Sequence, residues 1–153
     1  MFLKAISICF LCSFLVAGSL KVNDKFTSFS LPDQFDRIHT IKQNISKIIV
    51  TFESDSLKLI NDFLIRQNYG FLHDHHTVLI SDISNKPSII TKMFILPKMK
   101  DYKHTILLIY DDKGENFLKQ NHKSTIYDLE DGLVKNISYI STQKQLEEIF
   151  NHE

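Results

Sequence analysis

The sequence predicts an α/β domain built on a mixed β-sheet, and three features carry that prediction. Two continuous β-branched runs, residues 47–52 (KIIVTF) and 77–83 (TVLISDI), bracket a segment with helical apolar spacing, the pattern of a β-α-β unit whose strands are buried on both faces. Near the C-terminus, residues 124–127 and 133–140 flank the turn Glu130-Asp131-Gly132 and read as an antiparallel hairpin. Thr142-Gln143-Lys144-Gln145 then forms a capping box ahead of Leu146, Ile149 and Phe150, which places a closing helix at the end.

The remaining elements follow in order. Residues 22–34 alternate short apolar and polar side chains with Pro32 as a breaker, and Arg37-Ile38-His39-Thr40-Ile41 alternates again, so an N-terminal β-hairpin is expected. The run 47–52 belongs at the centre of the sheet. After the polar loop Glu53-Ser54-Asp55-Ser56, apolar residues at Leu57, Ile60, Phe63 and Leu64 recur at helical spacing, with Ser54 or Asp55 available as N-cap and Tyr69-Gly70 as the end. The polar loop His73-Asp74-His75-His76 leads into the second buried strand. Pro87 opens another helix with Ile89, Ile90, Met93 and Phe94 on one face. Pro97 lacks the N–H donor and clashes with the preceding turn, so it breaks that helix and leaves an irregular segment to His104. Residues 105–110 (TILLIY) form a third strand, and Asp111-Asp112-Lys113-Gly114 a turn.

The N-terminus reads as an export signal. Lys4 is the one early charge, residues 5–16 are almost wholly apolar, and Ala17-Gly18-Ser19 supplies small residues for cleavage after Ser19. The apolar run is shorter than the ~20 residues that cross a bilayer, so no transmembrane segment is expected after cleavage. Residues 1–19 are then a signal peptide, residues 20–153 a single domain, and the location periplasmic or secreted. Both cysteines, Cys9 and Cys12, lie in the signal, so the mature chain holds none. Cys12 follows Phe10-Leu11 rather than a small residue, which argues against lipidation.

Acidic and basic residues balance at 18 each; without Lys4 the mature chain carries 17 − 18 = −1, and no overall charge favours nucleic acid or anionic lipid. The mature chain holds only Gly70, Gly114 and Gly132, with no Gly-x-Gly-x-x-Gly after a strand, so no dinucleotide or other cofactor is expected.

The order hairpin, buried strand, helix, strand, helix, strand, hairpin, helix is that of the thioredoxin-like fold, with an N-terminal hairpin and helices on both faces of a central mixed sheet. Residues 22–35 (VNDKFTSFSLPDQF) resemble the opening of peroxiredoxin and thiol-peroxidase relatives, and residues 105–114 and 125–132 are similar to that group's paired strand-Asp-x-x-Gly segments. The resemblance covers most of residues 22–150. It implies a low-pKa cysteine where the first central strand meets its helix, but that turn here reads Glu53-Ser54-Asp55-Ser56, without a thiol. The family's cis-proline is also replaced; its register falls at His104 or Lys123.

Two candidate sites emerge. The corner of Glu53, Ser54, Asp55 and Ser56, joined by His104 if that residue takes the proline's place, would bind a ligand, although Ser and Asp at a helix start serve equally as caps. His73, His75 and His76 offer nitrogen ligands of the type that zinc or copper takes, beside Asp74, although adjacency alone does not set coordination geometry and a solvated loop has the same composition. Phe94, Ile95, Leu96 and Met99 around Pro97, followed by Lys98, Lys100 and Lys103, read as a helix end with a solvated rim or as a partner or lipid contact. The expectation overall is a redox-inactive binding or scaffold module of the cell envelope that holds a protein or peptide partner. A metal carrier or enzyme using the histidine segment is the alternative.

Overall fold

The computed structural model describes residues 18–151, so the expected export segment, with Cys9 and Cys12, lies outside the described residues apart from its last two positions. Two strands, β1 (Phe29–Pro32) and β2 (Ile38–Ile41), pair antiparallel as the expected hairpin. The central sheet contains β3 (Lys47–Thr51), β4 (Thr77–Asp82), β5 (Leu107–Ile109), β6 (Ser124–Glu130) and β7 (Leu133–Ile140), in the spatial order β5-β4-β3-β6-β7. Because β3 runs parallel to β4 and antiparallel to β6, the sheet is mixed.

β3 is buried along its whole length, which explains its unbroken β-branched sequence. Ile49 enters one apolar cluster with Leu57, Ile60 and Phe63 of α1 (Ser54–Leu64), Met99 of α4 (Leu96–Lys100), and Leu146 and Phe150 of α5 (Gln143–Asn151). Ile48 and Val50 point the other way, to Leu31, Ile41, Phe117 and Tyr127. Each fully buried side chain of this size contributes about 1.5–3 kcal/mol. The α-helices therefore gather on one face, and the other is covered by the β1–β2 hairpin and a single 3₁₀ turn at Asp112–Asn116. This departs from the expectation of helices on both faces. Two successive right-handed crossovers, β3 to β4 and β4 to β5, deliver their helices to the same side, and the polar, glycine-containing stretch before β6 is too short in apolar residues to add one opposite.

α1 has Glu53 at its N-cap in extended conformation (φ −133°, ψ 150°), and no side chain caps it. The capping role expected of Ser54 or Asp55 is thus absent: both lie inside the first turn. α1 ends at Leu64, and a further short helix, α2 (Phe71–Asp74), takes up part of the segment expected as the histidine loop.

The segment after Pro87 differs more. α3 (Ser88–Ile90) continues through a π-helical turn (Thr91–Ile95) straight into α4, with Pro97 in its first turn. The break expected at Pro97 does not occur, because the wider turn before it relieves the clash and a first-turn position needs no N–H donor. The irregular stretch begins only after Lys100. Thr91 and Met99 are buried and Ile95 and Leu96 pack on the core, whereas Ile89, Ile90, Met93 and Phe94 are exposed.

The C-terminal half follows expectation. Asp131 (φ 51°) and Gly132 (φ 75°) are both left-handed, the geometry of a tight hairpin turn between β6 and β7. In the capping box, Gln145 N donates to Thr142 Oγ1 at 3.3 Å and Thr142 N donates to Gln145 Oε1 at 3.2 Å.

The free edge of β5 is closed by the hairpin. Gln34 donates from Nε2 to the His104 carbonyl at 2.9 Å and accepts at Oε1 from the Ile106 amide at 2.9 Å, so its carboxamide substitutes for a strand neighbour. Asp33, fully buried beside it, accepts from the Phe35 and Arg37 amides at Oδ1 and from Arg37 Nε at Oδ2, 2.8 Å away; His39 Nε2 also lies 2.8 Å from Oδ2.

Candidate functional site

The register between β3 and β6 builds the candidate corner. Val50 faces Thr125, and extending the antiparallel pairing outward sets Phe52 against Lys123 and Glu53 against His122. The side chains follow suit: His122 N donates to Glu53 Oε1 at 3.1 Å, and His122 Nδ1 lies 3.0 Å from Glu53 Oε2. His122 holds a left-handed backbone (φ 59°) to make this approach. The His122 backbone N–H is the chief cause holding the Glu53 carboxyl below its usual range, with slight burial opposing and the His122 ring and Lys119 adding to the effect.

Beside this clasp lies a cavity of about 170 Å³ lined by Glu53, Asp55, Ser56, His122 and Ser124 among others. Ser56 is buried in its wall, whereas Asp55 is exposed. Ser54 lies apart, against Ser81 and Asp82. No serine hydroxyl among the described residues is hydrogen-bonded to the His122 ring. The corner offers a fixed carboxylate, an exposed imidazole and hydroxyls, and so can hold a polar group of a partner; it has no thiol. Its volume lies below the ~300 Å³ at which small-molecule pockets begin, which favours a side chain or a peptide group over a free ligand.

Of the two residues, Lys123 is the one beside the corner: it stands immediately before β6 and, by this register, opposite Phe52 at the end of β3. No cis peptide bond occurs among the described residues. His104 sits elsewhere. Its ring donates from Nε2 to the Leu64 carbonyl at 2.8 Å, at the far end of α1 and so about 15 Å along the helix from Ser54. Burial pushes its imidazole below the usual range, the hydrogen bond to Leu64 opposing. His104 thus braces the core and does not join Glu53, Ser54, Asp55 and Ser56.

The three clustered histidines do not converge either. His75 packs on the rings of Phe71, 4.3 Å between centroids, and Phe150, 5.2 Å. His73 and His76 instead line a separate cavity of about 650 Å³, with His39, Lys103 and His104. His76 is left-handed (φ 44°), and its carbonyl accepts from the Ser46 and Lys47 amides. Among the described residues no three His, Cys, Asp or Glu side chains stand close enough to hold a metal ion. Sequence reasoning places Glu53 at the corner but misses His122, because the two are 69 positions apart and no local pattern marks the pairing.

No protein-family model and no curated protein sequence matches the chain. Solved structures do resemble it. A disulfide isomerase candidate from Bacteroides thetaiotaomicron superposes with a TM-score of 0.57 at 10% identity, over 87% of this chain and 87% of that one. Peroxidoxin BcpB from Mycobacterium tuberculosis gives 0.53 at 14% identity, over 86% and 95%. StoA from Bacillus subtilis gives 0.52 at 18% identity, over 80% and 95%. At such identities the likeness speaks for the fold, and the fold is thioredoxin-like, as the sequence predicts.

Proposed function

We propose that the chain is exported, cleaved near Ser19, and serves in the cell envelope as a redox-inactive thioredoxin-like module that holds a protein or peptide partner. One observation carries this reading. The junction of β3 and α1, where the resemblance implies a nucleophilic thiol, is Glu53-Ser54-Asp55-Ser56, and its leading carboxylate is already engaged by His122. A serine hydroxyl cannot cycle between oxidised and reduced forms as a thiolate does, and residues 20–153 contain no cysteine. The disulfide isomerase candidate and the peroxidoxin share the frame. A frame kept without its thiol acts through its surface, an argument by analogy of fold. The polar corner beside Lys123 is the surface that replaces the redox centre. Among the described residues no helix is long and apolar enough to cross a membrane.

A photo-crosslinking residue at Asp55, on the exposed lip of the corner, tests the partner reading in envelope fractions. A discrete adduct that disappears in Glu53→Ala/His122→Ala supports it. An adduct that persists in that variant, or equal labelling from a site on the opposite side such as Lys135, contradicts it. A stoichiometric metal ion in protein purified without a tag would instead favour the histidine-based carrier.

A further inference from the structure

We infer that the outward face of the α3–α4 segment is a membrane-surface contact that lays its apolar side chains onto an anionic lipid bilayer. The inference is independent of the partner proposed for the Glu53 corner, and its failure would leave that reading untouched.

Helical spacing gives this segment two apolar stripes. Thr91, Ile95 and Met99, four residues apart, form the inward stripe and are buried or half-buried. Ile89, Ile90, Met93 and Phe94 occupy the opposite side and are 64%, 41%, 60% and 62% exposed. The inward stripe is enough to seat the helix, so folding does not account for a second one. Large apolar side chains are scattered singly on most surfaces, but here four fall within six consecutive positions on one helical face.

Charge identifies what covers them. Although the whole chain is balanced, residues 85–100 carry Lys86, Lys92, Lys98 and Lys100 with no Asp or Glu. Five lysines elsewhere are paired, Lys47 with Asp128, Lys58 with Asp62, Lys113 with Asp111, Lys135 with Glu130 and Lys144 with Glu148, whereas this segment gathers four cations with no carboxylate of its own. None of these four lysines forms an ion pair with any described residue; Lys92, Lys98 and Lys100 are exposed, and Lys86 is half-buried at the start of the segment. A second copy of the chain would bring four unmatched lysines against four more, which disfavours self-association. An anionic bilayer satisfies both features at once. It takes up apolar side chains at the headgroup boundary without a shaped pocket and attracts a ring of ammonium groups. The segment is far too short to span, so it lies in the interface plane. The electrostatic argument against anionic lipid, drawn from net charge alone, does not hold for this patch.

The chain contains no tryptophan, so Phe94→Trp places a single indole fluorophore on the face. Residues 1–17 include an apolar run of their own, and this readout is local to the helix. With vesicles of phosphatidylcholine containing about one-third phosphatidylglycerol, the indole emission of Phe94→Trp should shift to the blue and be quenched by brominated acyl chains. Partitioning should be at least about tenfold tighter than on phosphatidylcholine alone, and largely lost in about 1 M salt. Lys92→Glu/Lys98→Glu should cut it by about tenfold or more. Met93→Ser/Phe94→Ser, assayed by vesicle flotation, should match that loss with an unchanged urea midpoint. Equal partitioning on both vesicle types, an unquenched indole in vesicle-bound Phe94→Trp, or flotation unaffected by Met93→Ser/Phe94→Ser would overturn the proposal. So would lipid-independent self-association that the serine variant abolishes, or binding to an acidic protein but not to vesicles.

Discussion

The Glu53 carboxylate closes on His122 across the gap between the head of α1 and the start of β6, meeting the backbone amide at 3.1 Å and the ring Nδ1 at 3.0 Å. Because His122 holds the carboxyl below its usual range, the contact is complete at neutral pH and is lost as pH falls through that lowered value. Protection of the His122 amide, taken relative to the unprotected exchange rate at each pH, should therefore fall on acidification through the carboxylate range. In Glu53→Gln that loss of protection should vanish, since the amide oxygen still accepts but no longer titrates. Identical pH profiles for the two proteins would contradict the assignment.

Asp33 governs acid stability in the hairpin. Burial raises its pKa, but His39, the backbone amides of Arg37 and Phe35 and the Arg37 guanidinium outweigh this and bring it from 3.8 to about 2. A depressed carboxyl contributes stability that is fully present above its unfolded value and is lost as pH falls through the folded one. Between pH ~4 and ~2 the chain should lose about 2 kcal/mol through this group. Urea melts across that range should show the slope in the wild type, reduced in Asp33→Asn.

Gln34→Ala removes both partners that the buried His104 carbonyl and Ile106 amide find in the carboxamide. Leaving them unpaired should cost about 1–3 kcal/mol each, reduced where water enters. It also bares the edge of β5, so light scattering during refolding should rise relative to the wild type.

Gly114 is needed for space, since a Cβ there would meet Asp82 Oδ2. Asp82 is itself fixed by the Ser84 amide and hydroxyl, at 3.0 and 2.6 Å. Gly114→Ala should destabilise by about 1–3 kcal/mol in urea unfolding. Adding Asp82→Ala should recover part of that loss, a non-additivity that separates steric conflict from a backbone effect.

What can be read from the sequence is local. The β-branched run in β3, the spacing of Leu57, Ile60, Phe63 and Leu64, the Asp131-Gly132 turn and the Thr142–Gln145 box each declare themselves within one or two turns of chain, and the fold class follows from their order. Helical spacing puts Ile89, Ile90, Met93 and Phe94 on one face, but it does not say that this face points outward, because Thr91, Ile95, Leu96 and Met99 supply the contacts with the core. Which of His104 and Lys123 lies beside the Glu53 corner cannot be read until strand order places β6 next to β3. The corner itself depends on side chains brought together over 69 positions, which periodicity does not encode.

Thiol chemistry decides the central claim. Residues 20–153 carry no cysteine, and a mixed disulfide cannot begin without a thiolate. Purified residues 20–153, freed of contaminating reductases, should be assayed for insulin disulfide reduction with dithiothreitol and for hydrogen peroxide consumption with a reductant. Rates equal to the protein-free control in both assays are the predicted result; turnover above that control in either would contradict the account.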